Sequence, residues 1–300
     1  MDLSVTIANL RIRNPTMLAS GILGTSPSLL IRAYQEGAGA VVTKSFTKEY
    51  REGYKTPIII ATKCGYINAV GLANPGKEHI KEIVNPVKKM GVPIIVSLAG
   101  STKEEFRELA LEAEDSGADG LELNLSCPHA EKRGLEIGSD PELVYKIIEQ
   151  LKEDIRIPVF AKLGLSDNII TTAIKAEEAG ADGLVLINTV RGMLIDIWTK
   201  KPVLSNKFGG ISGPAIHPIA VRVVYEVYEK VNIPIIGVGG IDNWESAIEM
   251  FLAGAKAVQI GSAIAYEGLD IFKRIVNGIR NYLIENGYGS IKDIIGLAHQ

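Results

Sequence analysis

Cys127 offers the most reactive side chain in this sequence. It stands three residues beyond Asn124 in the run NLSCP, within a loop that also carries Gly134 and Gly138. A thiol with a free pKa of about 8.5 needs little tuning to act as a general base near neutral pH, whereas a lone cysteine without polar neighbours is usually inert. Cys64 has no such neighbours and is read as structural. Lys44 and Lys162 each close an apolar run, AVVTK and PVFAK. Lysine is almost never buried without a partner, so each is expected to face an anion, either a carboxylate or an electron-rich ring atom of a cofactor, rather than to reach out to solvent. Two glycine-rich turns, GVGG ending at Gly239–Gly240 and IGS at Gly261–Ser262, each lead towards a helical stretch. Tight turning alone would explain the glycines, but two such turns also let backbone N–H groups face a phosphate.

Several chemistries are disfavoured. Two cysteines with no CxxC pair are too few for an iron–sulfur cluster or a structural zinc site. The four histidines, His79, His129, His217 and His299, show no HExxH or HxH spacing, so no metal site is expected. A net charge of −3 with no polybasic run argues against a nucleic-acid surface. The start MDLSVTIANLRIRNPTMLAS lacks a leader pattern, and no apolar run reaches the roughly 18 residues of a membrane span, so a cytoplasmic protein is expected.

The elements that must position these residues show as internal repetition. One phrase starts a strand with proline: NPTMLAS from Asn14, VPIIVS from Val92, IPVFAK from Ile157 and IPIIGV from Ile233. The other ends a helix with glycine and enters a strand: GAGAVVTKS from Gly37, GADGLELN from Gly117, GADGLVLIN from Gly180 and GAKAVQIGS from Gly254. The two alternate strictly, giving eight apolar runs separated mostly by amphipathic stretches such as Lys103–Ser116, Pro141–Glu153 and Asn243–Ala253. Continuous rather than alternating apolar runs indicate parallel strands covered on both faces. The reading is an α/β chain, a single (β/α)8 TIM barrel over residues 1–300. An open doubly wound sheet is the alternative, but no GxGxxG turn follows the first strand. Val5–Ile7 and Leu10–Ile12 predict an N-terminal β-hairpin, and three long βα loops, Phe46–Gly76, Cys127–Asp140 and Thr189–Gly213, are expected at the catalytic face.

MLASG, TKS at Thr43–Ser45, NAVGLANPG from Asn68, LNLSCP from Leu123, AKL at Ala161, INT at Ile187, GGISGPAI from Gly209, GVGG from Gly237 and IGS from Ile260 together resemble the class 1 dihydroorotate dehydrogenases over nearly the whole chain. The resemblance implies FMN as cofactor and oxidation of dihydroorotate to orotate in pyrimidine biosynthesis, with Cys127 removing the C5 proton while a hydride leaves C6 for the flavin. It places FMN on Ser20, Lys44, Ser45, Asn124, Lys162, Ile187, Gly213, Gly239, Gly240, Gly261 and Ser262. It places the pyrimidine and its carboxylate on Lys44, Asn68, Ala69, Val70, Gly71, Leu72, Asn124, Asn188 and Thr189. Class 2 relatives use serine as the base and carry an amino-terminal membrane segment; neither feature is present here.

Two positions depart from the family pattern. His129 stands where many relatives have the asparagine of SCPN, and Ser97 stands where the second subtype often offers asparagine to the flavin, so neither is among the implied contacts. NAVGLANPG looks like the B subtype, which implies a homodimer of this chain joined in a heterotetramer to an FAD and iron–sulfur subunit that passes electrons to NAD. The rival readings are an FMN barrel acting on another dihydropyrimidine, similar to dihydropyrimidine dehydrogenase, and a flavin-free phosphate-binding barrel.

Overall fold

The computed structural model describes residues 1–125 and 137–300. Eight parallel strands close into a barrel: Thr16–Leu18, Ala40–Val42, Ile94–Leu98, Gly120–Asn124, Val159–Leu163, Gly183–Leu186, Ile235–Val238 and Ala255–Ile260. Each pairs with the next, and the eighth pairs with the first through Val258↔Thr16 and Ile260↔Leu18. All eight apolar runs of the sequence are thus barrel strands, and closure excludes the open-sheet alternative.

Amphipathic helices cover the outside. Helix Lys103–Asp115 buries Phe106, Leu109, Ala110 and Ala113, one stripe at helical spacing, and Thr102 caps its start by accepting from the Glu105 N–H. Asp140 caps Pro141–Asp154, whose proline occupies the first turn where no backbone donor is needed. Inside the barrel, Phe160 takes the space left by two glycines: a Cβ on Gly183 would stand 2.9 Å from its ring and one on Gly120 3.3 Å away. The N-terminal hairpin forms as expected, Val5↔Ile12 through Ile7↔Leu10, with Val5, Ile7, Leu10 and Ile12 buried against the core.

Two of the long connections are more than loops. Ile59–Thr62 and Gly65–Asn68 from the first, with Val190–Met193 and Phe208–Ser212 from the third, build one antiparallel sheet in which Gly210 pairs with Asn68 and Ile211 with Ile67. Both connections leave the carboxyl ends of barrel strands, so this sheet belongs to the catalytic face. No helix among the described residues is long and apolar enough to cross a membrane.

Candidate active site

Side chains from five strand ends form one hydrogen-bonded chain. Ser45 Oγ lies 2.9 Å from Ser97 Oγ and 3.5 Å from Ser20 Oγ. Asn124 Nδ2 donates to Ser45 Oγ at 3.1 Å, and Asn188 Nδ2 donates to Asn124 Oδ1 at 3.2 Å. Each residue lies within three positions of the carboxyl end of a barrel strand, so the barrel register brings together groups separated by up to 168 positions in sequence. Ser97, which departs from the asparagine of the family pattern and is not among the implied contacts, enters this chain; its own N–H is fixed by Thr43 Oγ1 at 3.0 Å.

The two lysines have different surroundings. Lys44 is half-buried, its ammonium meets no acceptor among the described residues, and burial lowers its pKa from the ordinary 10.5. Lys162 is tied inside the barrel, donating to Glu122 Oε1 at 3.1 Å and Gln259 Oε1 at 3.2 Å, while Gln259 Nε2 donates to Glu122 Oε2 at 2.6 Å. The carboxylate expected to face Lys162 is therefore Glu122. Glu122 and Gln259 are not among the sequence candidates, although a charged and an amide side chain inside GLELN and AVQIG are exceptions to otherwise apolar strands.

The turn at Gly239–Gly240 packs closely on Gly213. Gly239 and Gly240 have φ of 137° and 69°, and Gly213 has 101°. A Cβ on Gly240 would meet the Gly213 carbonyl at 2.7 Å, and one on Gly213 would meet Gly65 Cα at 2.6 Å, so only glycine fits. The backbone N–H groups of Gly239, Gly240, Gly261 and Ser262 donate to no protein acceptor among the described residues. The following helix Trp244–Leu252 is closed by its own cap, Asn243 accepting from the Ser246 N–H, so the donors available to a ligand are those of the turns themselves. His217 braces the first turn, its ring nitrogens lying 2.9 Å from the Gly239 carbonyl and 2.8 Å from Glu249 Oε2.

The remaining candidates surround this centre. Asn68 donates from Nδ2 to the Gly210 carbonyl at 3.3 Å, and Gly210 presses on Thr189, where a Cβ would stand 2.0 Å from the Thr189 hydroxyl. Ala69 is fixed by a 2.7 Å bond from its N–H to the Ile58 carbonyl, Val70 accepts from the Tyr54 N–H at 3.0 Å, and Gly71 and Leu72 have φ of 77° and 55°. Ile187 is buried after a cis peptide bond from Leu186. Cys64 is exposed in the turn between two strands of the antiparallel sheet, where its carbonyl accepts from the Ala215 N–H at 3.2 Å. Cys127 and His129 lie outside the described residues. No group of three His, Cys, Asp or Glu side chains able to hold a metal occurs among the described residues.

Known proteins resemble this chain along nearly its whole length. The family model for dihydroorotate dehydrogenase matches residues 2–283. A Pyrococcus furiosus protein named dihydroorotate dehydrogenase B (NAD(+)), catalytic subunit, is 49% identical, with 100% of each chain covered. A Methanothermobacter thermautotrophicus protein of the same name is 46% identical over 99% of this chain and 98% of its own. An Aeropyrum pernix protein named provisionally as dihydroorotate dehydrogenase A (fumarate) is 47% identical, covering 100% of this chain and 98% of its own. With a match across almost the whole barrel and relatives near half identity at full length, this chain belongs to the dihydroorotate dehydrogenase family.

Proposed function

We propose that this chain is the catalytic subunit of an NAD-linked dihydroorotate dehydrogenase, oxidising dihydroorotate to orotate on bound FMN. The observation that carries this reading is the polar chain Ser20–Ser45–Asn124–Asn188 across the strand ends, together with Lys44, the neighbour of Ser45 in sequence, whose ammonium meets no acceptor among the described residues. A planar ring rich in N–H and C=O groups needs such amides and hydroxyls, because each polar group left unpaired in a closed pocket costs about 1–3 kcal/mol.

The donor set fits FMN. A phosphate dianion suits the N–H groups of Gly239, Gly240, Gly261 and Ser262, which donate to no protein acceptor among the described residues, with Gly213 packed against Gly240. Ser20, Lys44, Ser45, Asn124, Lys162 and Ile187 would hold the isoalloxazine, and Lys162 would offer positive charge where a flavin gains electron density. When bound, FMN supplies the hydride acceptor. Lys44, Asn68–Leu72, Asn124, Asn188 and Thr189 would hold the pyrimidine, with Lys44 as partner of its carboxylate. Cys127 would take the C5 proton. A substrate carboxylate opposite Lys44 favours dihydroorotate over a dihydropyrimidine that lacks one.

The B-type names of the relatives support NAD as the final acceptor and, through the words "catalytic subunit", a partner chain. Two cysteines are fewer than the four thiolates of a ferredoxin-type iron–sulfur cluster, so an FAD and iron–sulfur partner would carry the electrons onward, with this chain as a homodimer at the centre of a heterotetramer in the cytoplasm. Co-purification from the native cell, followed by NAD reduction assays on the isolated chain and on the complex, tests this. The isolated chain should reduce dyes but be poor with NAD; fast NAD or fumarate reduction with no partner recovered would overturn the NAD-linked assignment.

A further inference from the structure

The triangle of Lys162, Glu122 and Gln259 has more structure than a flavin contact requires. Its members come from the fifth, fourth and eighth strands and meet inside the barrel, above the Phe160 ring that fills the space at Gly120 and Gly183. Glu122 is 0% exposed, Gln259 1% and Lys162 6%. Both Glu122 oxygens accept, one from Lys162 and one from Gln259, and the Gln259 carbonyl oxygen returns a second acceptor to Lys162. An ammonium has three N–H donors. Two are used here, and the third meets no acceptor among the described residues. Lys162 is the most exposed of the three, and it sits level with Asn124 at the mouth end of its strand.

A buried ion pair of this kind is poor structural material, because a well-packed apolar trio is commonly as stable or more so. It does accomplish two other things. A counter-charge keeps a buried amine in its charged form, which burial alone opposes. Two fixed acceptors also leave a single direction for the remaining donor. We propose that Glu122 and Gln259 are positioning residues for the reaction: together they keep the Lys162 ammonium charged and aim its free N–H at the electron-accepting edge of the flavin. The inference rests on the reading that Lys162 meets FMN. Among the described residues, the other ionisable side chains on the barrel strands or just beyond their ends are Lys256, at the opposite end of the eighth strand, Lys44, beyond the second, and Asp119 and Asp182, which precede the fourth and sixth strands and pair with Lys88 and Lys152; none of the four contacts the triangle.

The test is the midpoint potential of the FMN holoprotein as a function of pH from 6 to 9. In Glu122→Gln, Lys162 loses its counter-charge and takes up a proton each time the flavin is reduced, so the preference for reduced over oxidised FMN falls more steeply with pH than in wild type. The excess approaches tenfold per pH unit, about 30 mV for a two-electron couple. Lys162→Met should lower the potential at every pH without steepening the slope. Glu122→Gln and wild-type lines that stay parallel within threefold across the range would overturn the proposal. Should Glu122→Gln fail to fold, Gln259→Leu removes one acceptor from Lys162 and one donor from Glu122, and is expected to weaken the preference for reduced FMN roughly tenfold; an unchanged potential there overturns the proposal equally. A Lys162→Met protein with wild-type potentials would instead remove Lys162 from the flavin site, and a chain that takes up no FMN would remove the flavin reading itself.

Discussion

Asn188 donates from Nδ2 to Asn124 Oδ1 at 3.2 Å, joining the connection beyond the sixth barrel strand to the end of the fourth. That bond orients both amides, because Asn124 must then present its own Nδ2 to Ser45. Each amide keeps further donors or acceptors for a ligand. Asn188→Ala is therefore expected to weaken orotate binding by about 10- to 100-fold, the value of one or two hydrogen bonds, while flavin content stays at wild type. Flavin difference spectra on adding orotate measure this; unchanged affinity would take Asn188 out of the substrate site.

Gly210 and Gly240 should separate the two ligands. Alanine at Gly210 would drive a Cβ onto the Thr189 hydroxyl, so Gly210→Ala is expected to lose orotate affinity at least tenfold yet retain FMN. Alanine at Gly240 would meet the Gly213 carbonyl and the His217 side chain at 2.7 Å with φ at 69°, a strained position costing about 1–3 kcal/mol. Gly240→Ala should release FMN on dilution. Paired titrations of FMN and orotate check both, and the reverse pattern would contradict the assignment.

Much of this was legible in the sequence because barrel strands repeat. Eight apolar runs announce themselves, and the polar residues at the ends of most of them point to one face, which is why Ser20, Ser45, Asn124 and Asn188 stand out in the sequence. Glu122 and Gln259 were harder to see, since inside a strand only side-chain direction distinguishes a residue in the barrel interior from one under a helix. The antiparallel sheet at the mouth escaped for another reason. Segments such as GYIN and FGGIS hold glycines where a strand would ordinarily hold β-branched residues, and here the glycines serve close approach: a Cβ on Gly209 would stand 2.6 Å from the Asn68 carbonyl oxygen.

Lys44 gives the expected pH dependence. Burial lowers its pKa below 10.5, so the ammonium is lost at a lower pH than that of a free lysine. Orotate, an anion, needs the charged form, and its affinity should fall as pH rises through that lowered value. The sign for stability is opposite: the cost of a buried ammonium is fully present below the folded-state pKa and is relieved as pH climbs towards 10.5. Lys44→Met should accordingly bind orotate at least tenfold more weakly with a flat pH profile, while its flavin-free form melts no lower than wild type at neutral pH. Orotate titrations from pH 6 to 10 decide it, and parallel profiles for the two proteins would exclude Lys44 as the carboxylate partner.

Cys127→Ser tests the proton acceptor. Serine preserves size but is a far weaker base than a thiolate, so flavin reduction by dihydroorotate should slow by at least about 10²-fold near neutral pH and recover in part under alkaline conditions. Stopped-flow rates equal to wild type would remove Cys127 from the mechanism.

The central claim is that this barrel carries FMN and passes it a hydride from dihydroorotate, and one anaerobic absorption titration addresses it directly. The purified chain should be yellow, with one FMN per chain, and stoichiometric dihydroorotate should bleach the flavin band. A colourless chain that also refuses added FMN, or a flavin band that dihydroorotate leaves unchanged, would contradict the account.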